Sequence, residues 1–331
     1  MAQMNLKKSI AVVAVILSLP ILNCEDGEDG NEKPSRVDGA TLVYSPPGGA
    51  SAQNPAFSPA GEHILFTLFH NGYEKGPAGL YLYSNTHRSA NPLLDDNESD
   101  AINKAGRCWT ADSDRITFSS NFTPGYGIWT VRRNGKELKH VITHAEKSVS
   151  FVEPCFSPVG PLITFEYAYG EGPYAIHLIC RVSESGEGYS VLSRGNGQDS
   201  KPEFNPSGKR IVYQHRQHGE ETNNWDLYTM DYYGGDINKV TSWEGPDIDA
   251  SWSPAGSHIA YASHTGELPT MSIFVIGAGG GTPVQITKDP NYEDGSPSWS
   301  PDGKWIVFES RPVNQKDAPA SLWRIAAPET N

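Results

Sequence analysis

The chain has 331 residues and a formal net charge of −13, with 26 Lys and Arg against 39 Asp and Glu. That balance weighs against nucleic acid, whose phosphates it would repel, and against an anionic membrane surface for the same reason. Its 33 Gly, 25 Pro and 10 % aromatics, with no long helical stripe beyond residue 24, describe an all-β chain rich in turns.

The first element is an address. Lys7 and Lys8 precede the apolar run 10–22, which is too short to span a bilayer and has the length of a signal-peptide core. The run ends at "ILNC", so Cys24 resembles the lipidated first residue of a bacterial lipoprotein, with residues 1–23 removed as its signal. Asn23 departs from the small residue usual before that cysteine. Residues 24–38, acidic and containing glycine, read as a flexible tether. A lipid on Cys24 is then the expected membrane attachment.

After the tether comes "ATLVYSPP", residues 40–47, which matches nothing else in the chain. Six copies of one pattern follow: "NPAFSPAGEHILF" from Asn54, "GRCWTADSDRITF" from Gly106, "EPCFSPVGPLITF" from Glu153, "KPEFNPSGKRIVY" from Lys201, "DASWSPAGSHIAY" from Asp249 and "SPSWSPDGKWIVF" from Ser296. Their aromatics, Phe57, Trp109, Phe156, Phe204, Trp252 and Trp299, are spaced by 52, 47, 48, 48 and 47 residues. Each copy reads as a strand, a tight Pro–Gly type turn, a second strand and, after a variable loop, a third strand such as "GLYLYS" or "SLWRIAAP". A fourth strand follows in five copies and is missing from the last. Four strands in a unit of about 40–50 residues make one propeller blade. The expected architecture is a six-bladed β-propeller over residues 39–331, with 40–47 supplying the last blade's fourth strand and removing an open edge.

The aromatic–Ser–Pro–Asp–Gly–Lys–x–Ile–x–Phe core resembles the WD40-like repeat of TolB-type propellers, and the resemblance covers about residues 40–331. It implies an extracytoplasmic propeller but does not extend to the separate α/β domain that TolB carries ahead of its ring. Related propellers also gate prolyl-peptidase-like hydrolases; the sequence contains no Gly-x-Ser-x-Gly elbow for that chemistry.

Strand alternation puts the second-to-third-strand loops and the blade-to-blade crossovers on one face. The loops there carry Tyr73, Tyr126, Tyr169, Tyr174, Trp225 and Arg311, residue types suited either to binding a partner or to packing over blade tops. The crossovers are acidic, and Asp199, Asp247 and Asp294 share one position, five residues before the aromatic. They either cap their own crossovers or share Ca²⁺ at the channel mouth. His215, Arg216 and His218 form the most enzyme-like cluster, similar to what pectic-oligomer lyases of this fold use, though only His70 and His264 add further imidazoles on the loops. Cys108, Cys155 and Cys180 read as buried small hydrophobes with at least one free thiol; a Cys108–Cys155 disulfide joining two blades is the alternative. The resulting expectation is a monomeric, non-catalytic propeller of the cell envelope that binds a protein or peptide through its loop face. A carbohydrate-active enzyme or sugar-binding module on the same face is the competing class.

Overall fold

The computed structural model describes residues 36–94, 101–123, 125–193, 195–219, 223–264, 270–315 and 317–329, without the side chains of 106–108. The signal and lipidation reading at 1–24 lies outside these residues, as does the side chain of Cys108. Six four-stranded antiparallel sheets form the ring expected from the repeat, five of them ordered inner to outer as the chain runs and the last completed by an N-terminal strand. The inner strands are Ser51–Phe57, Asn103–Trp109, Val149–Phe156, Gly197–Phe204, Asp247–Trp252 and Tyr292–Trp299.

The turn after each aromatic is built by its own side chains. In "SPDG" the Gly303 N–H donates to the Ser300 carbonyl at 2.9 Å, with Gly303 at φ 70°, a conformation cheap only for glycine. Ser300 Oγ accepts from the Trp305 N–H at 2.9 Å and donates to Asp302 at 2.6 Å. The second strands lie between neighbouring blades; in Trp305–Pro312 the apolar part, Ile306 to Phe308, is fully buried, and the strand turns polar from Glu309 towards the loop face.

Each aromatic fills the wedge towards the preceding blade. Trp109 packs with Leu65 and Leu80, Trp252 with Val212 and Leu227, and Trp299 with Ala260 and Ile273. Burial of such a side chain is worth roughly 1.5–3 kcal/mol or more. Polar atoms stitch the same junctions. The indole N–H of Trp109 donates to the Ala56 carbonyl at 3.3 Å, and that of Trp252 to the Glu203 carbonyl at 3.2 Å. The cysteine reading needs correction at this layer: Cys155 is disulfide-bonded, and its Sγ also accepts from the Phe204 N–H at 3.3 Å. Cys180 is the free, buried thiol.

Thr41–Tyr44 pairs antiparallel with Ser321–Ala326 and closes the last blade, as the orphan strand implied. A latch precedes it. Arg36, in the segment read as tether, is 4 % exposed and sends two nitrogens to the two Asp294 oxygens at 2.7 Å each. It also donates to Ser310 and Asp38 at 2.8 Å, while its guanidinium lies 4.6 Å from the Tyr292 ring centre and 5.5 Å from Phe308 and Trp323. Removing one partner of such a buried pair strands the other charge and costs about 3–5 kcal/mol, whereas removing both is far milder. Arg36→Met should therefore lower the thermal unfolding midpoint by several degrees, and Arg36→Met with Asp294→Leu should recover most of the loss. An Arg36→Met protein that melts like wild type would disprove the latch.

Candidate functional site at the channel mouth

The inner strands share an irregularity that positions the mouth. Three residues before the aromatic, Asn54, Glu153, Lys201, Asp249 and Ser296 all have φ between 48° and 59°, and each lies where pairing with the second strand skips. The skip occurs in the second blade too, between Ala105 and Trp109. A left-handed conformation costs a non-glycine residue roughly 1–2 kcal/mol, so the neighbours must hold it. Four of the five are followed by proline, tolerated because a bulged edge needs no ladder N–H there.

The hold comes from the preceding blade, ten residues after its own aromatic. Glu309 Oε2 accepts from the Asn54 N–H at 2.7 Å, Glu166 Oε2 from the Lys201 N–H at 3.3 Å, and Gln214 Oε1 from the Asp249 N–H at 3.3 Å. Thr67, at the same repeat position, accepts from the Ala105 N–H at 2.8 Å, one residue earlier in its neighbour's inner strand. These residues share one repeat position, ten after the aromatic, the signal that would have singled them out from sequence. Glu166 is anchored further by Ser200 Oγ at 2.5 Å and His177 Nδ1 at 2.6 Å.

On the loop side of this belt a cleft of about 90 Å³ opens between the fifth and sixth blades, walled by Asp249, Ala262, Gly295, Glu309, Arg311 and Tyr73. Lys201 Nζ reaches Asp249 at 2.5 Å. Tyr73 donates to Glu309 Oε1 at 3.1 Å, and Arg311 lies 4.3 Å above the Tyr73 ring while pairing with Glu293 at 2.5 Å. Burial pushes the Glu309 carboxyl up to about 7, with Asp249 adding to the rise and Lys201 and the Asn54 N–H opposing it. The carboxylate nearby and burial raise the Tyr73 phenol as well. A wider opening of about 820 Å³ continues over His264, Thr270, Arg311 and Gln315.

A second group forms on the fourth blade. His215 Nδ1 meets Asp199 Oδ1 at 2.7 Å and its ring edge faces Tyr228 at 5.2 Å. Arg216 bonds Gln198 at 2.5 Å and 3.2 Å and lies 4.9 Å from the Trp225 ring centre. Gln198 in turn donates to the Gly172 and Ala175 carbonyls, tying this blade to the third blade's loop.

The expected site residues thus separate. Tyr73 and Arg311 meet at the mouth; His215, Arg216 and Trp225 gather on the fourth blade. His218 joins neither group by a hydrogen bond, and Tyr126 is half-buried away from them. Tyr169 and Tyr174 are exposed on the third blade's loop. Asp199, Asp247 and Asp294 share a position but not a partner: the first takes His215, the second no hydrogen bond of ordinary geometry, the third Arg36. The Ser263 and Thr241 hydroxyls face Asp247, and burial lifts its carboxyl to about 6. Among the described residues, no three His, Cys, Asp or Glu side chains gather as a metal centre.

No protein-family model matches the chain. Uncharacterized protein Atu1656 of Agrobacterium fabrum is 30 % identical over 167 residues, 50 % of this chain and 53 % of that protein, so the chain spans about half the length of the curated relative it matches. TolB from Acinetobacter baumannii superposes with a TM-score of 0.58 at 17 % identity, over 85 % of this chain and 64 % of that one. An oligogalacturonate lyase solved with manganese gives 0.57 at 15 % identity, over 90 % and 96 %. The chain has the fold of TolB-like six-bladed β-propellers.

Glu309 sets a pH dependence. Its folded value of about 7 exceeds the ordinary 4.5, so between these values the folded protein holds a proton that the unfolded chain has lost. Stability from this group is full below about pH 4.5 and is lost as pH rises through 7, a matter of a few kcal/mol. The urea midpoint of the wild type should fall across that window and that of Glu309→Gln should fall less. Parallel curves would refute the assignment.

Proposed function

We propose that the protein is a non-catalytic, extracytoplasmic propeller that binds a protein or peptide partner through its loop face and channel mouth. The observation that carries this reading is the mouth itself, a cleft beside Tyr73, which Glu309 and Arg311 hold in place from below and above. Its ionic groups are already paired, Asp249 with Lys201, Glu293 with Arg311 and Asp294 with Arg36, which suits a preformed recognition surface. Aromatic and arginine side chains fixed on a rigid ring are the usual anchors of such surfaces. Among the described residues no helix is long and apolar enough to cross a membrane, and attachment through a lipid on Cys24 completes the proposal.

A second reading, a carbohydrate-active enzyme on the same face, draws on the His215–Asp199 pair with Arg216 beside it and on the fold likeness to oligogalacturonate lyase. Turnover of oligogalacturonate with manganese, abolished by His215→Ala, would establish it over the binding reading.

The binding reading is tested by photo-crosslinking in the native envelope. A crosslinker at Tyr174 or Val313, both exposed on the loop face, should trap a discrete partner, while one at Val159, exposed on the turn face, should not. Equal yields from the two faces would overturn the proposal. In the same cells, Cys24→Ala should move the protein from the membrane to the soluble fraction; a wild type already soluble would remove the lipid anchor.

A further inference from the structure

Two copies carry an arginine twelve residues after the wedge aromatic, Arg216 in the fourth blade and Arg311 in the sixth. Each lies directly across the ladder from the residue six before its aromatic, Gln198 and Glu293 respectively. Each also lies over a loop aromatic, Arg216 at 4.9 Å from the Trp225 ring centre and Arg311 at 4.3 Å from that of Tyr73. The difference is charge. Arg311 meets the Glu293 carboxylate at 2.5 Å, whereas Arg216 meets only the neutral Gln198 amide. Among the described residues Arg216 forms no ion pair. Gln198 is buried, and its orientation is fixed: Nε2 donates to the Gly172 and Ala175 carbonyls at 2.8 and 3.1 Å, so Oε1 faces the arginine. That oxygen accepts from Nε at 3.2 Å and from Nη2 at 2.5 Å. A guanidinium has five N–H groups. The three left over, two on Nη1 and the second on Nη2, form the end-on fork of a half-buried side chain and have no partner among the described residues.

We propose that Arg216 is the receptor for a carboxylate on the bound peptide or protein partner. The inference rests on the partner-binding reading above and specifies its chemistry. Shape fits: the two nitrogens of the open fork match the two oxygens of a carboxylate, giving parallel charge-assisted hydrogen bonds. Charge fits as well. Asp199 and Asp226, paired in register with the adjoining His215, take His215 and Lys239 instead and leave the guanidinium unneutralised. A lysine of the partner would be repelled, and a carboxamide offers the fork a single, uncharged acceptor. Gln198 and Trp225 already order the guanidinium, so binding a carboxylate loses little side-chain freedom. The place is on the loop face: the Gly172 and Ala175 carbonyls that hold Gln198 flank the exposed Tyr174.

The test titrates small probes into the full chain at low salt while the Trp225 indole and Gly197 amide resonances are followed. The probes are N-acetyl-Ala-X-Ala-N-methylamide with X as Glu, Gln or Lys, N-acetyl-Ala-Ala-Ala with a free carboxyl terminus, and galacturonate. The Glu probe or the free-terminus probe should shift both resonances saturably, and the tighter of the two tells a side-chain carboxylate from a chain end. The Gln and Lys probes should shift them little. Arg216→Gln should abolish the response, and Arg216→Lys, which keeps the charge without the fork, should weaken it by about tenfold. Added sodium chloride should weaken the wild-type response too, a reading that needs no variant. In the envelope, Arg216→Gln should reduce the Tyr174 crosslink. A stronger response to galacturonate than to either peptide carboxylate would overturn the assignment in favour of the second reading. Equal binding of the Gln or Lys probe, no response to any probe, or a response and crosslink undiminished by Arg216→Gln would also overturn it. These last outcomes leave the loop-face reading intact if the wild-type Tyr174 crosslink persists; loss of that crosslink removes the reading itself.

Discussion

The structure depends on one local constraint: the inner strand of each blade must break its ladder three residues before the wedge aromatic. A left-handed residue there is unfavourable on its own, and its N–H points away from its own blade's second strand. The fold answers with a polar side chain from the preceding blade, Glu166, Gln214 or Glu309, that accepts that N–H. The first, fourth and fifth blades therefore do not satisfy their inner strands alone. Apolar wedges such as Trp252 against Val212 and Leu227 draw neighbouring blades together without direction, whereas the bulge contact sets their register.

A ring whose units complete one another has a problem where the chain begins and ends. Thr41–Tyr44 solves the backbone part by pairing beside Ser321–Ala326. Arg36 adds a side-chain part, entering among Tyr292, Phe308 and Trp323 to meet Asp294. At the corresponding place in the fourth blade Asp199 takes His215, a residue of its own blade. In the fifth, Asp247 faces the Ser263 and Thr241 hydroxyls, and burial leaves it easier to protonate. The same carboxylate position thus serves as a latch, a local pair and an uncompensated acid, according to what stands eleven residues after the aromatic and what the N-terminal segment brings.

The blades were legible because the aromatics and the Pro–Gly turns recur within single copies, where spacing alone carries the information. The closing strand followed from simple counting, since the last copy lacked a fourth strand and one strand lay unassigned. The bulge was less visible. Pro55, Pro154, Pro202 and Pro297 stood at one position inside strands, a hint of an interrupted ladder, but their meaning lies in an N–H of the residue before them. Glu309 and Glu166 were hidden for a different reason: their partners belong to another copy, and alternation within one strand says nothing about contacts across a junction. Arg36 was obscured by its company, an acidic, glycine-containing segment whose composition matches a tether. Tyr73 and Arg311 were named from their loops, yet their meeting required the ring to close, because they come from the first and last copies.

These two kinds of legibility bear differently on function. Features common to all six copies, the wedge aromatics and the turns, are what the ring needs in order to exist, and repetition makes them easy to read. Features that differ among copies at a shared position answer to each junction separately. Ala262 and Gly295 remove a contact that the third and fourth blades build with Glu166 and Ser200, and the ring gains no packing from the space that results. An unfilled gap in a packed junction is normally a cost, through lost dispersion. Its position beside Tyr73 and Arg311, an aromatic–cation pair, places that cost on the face proposed for partner binding. In a repeat protein the departures from the repeat are therefore the informative residues, and the mouth cleft lies beside two of them, Ala262 and Gly295.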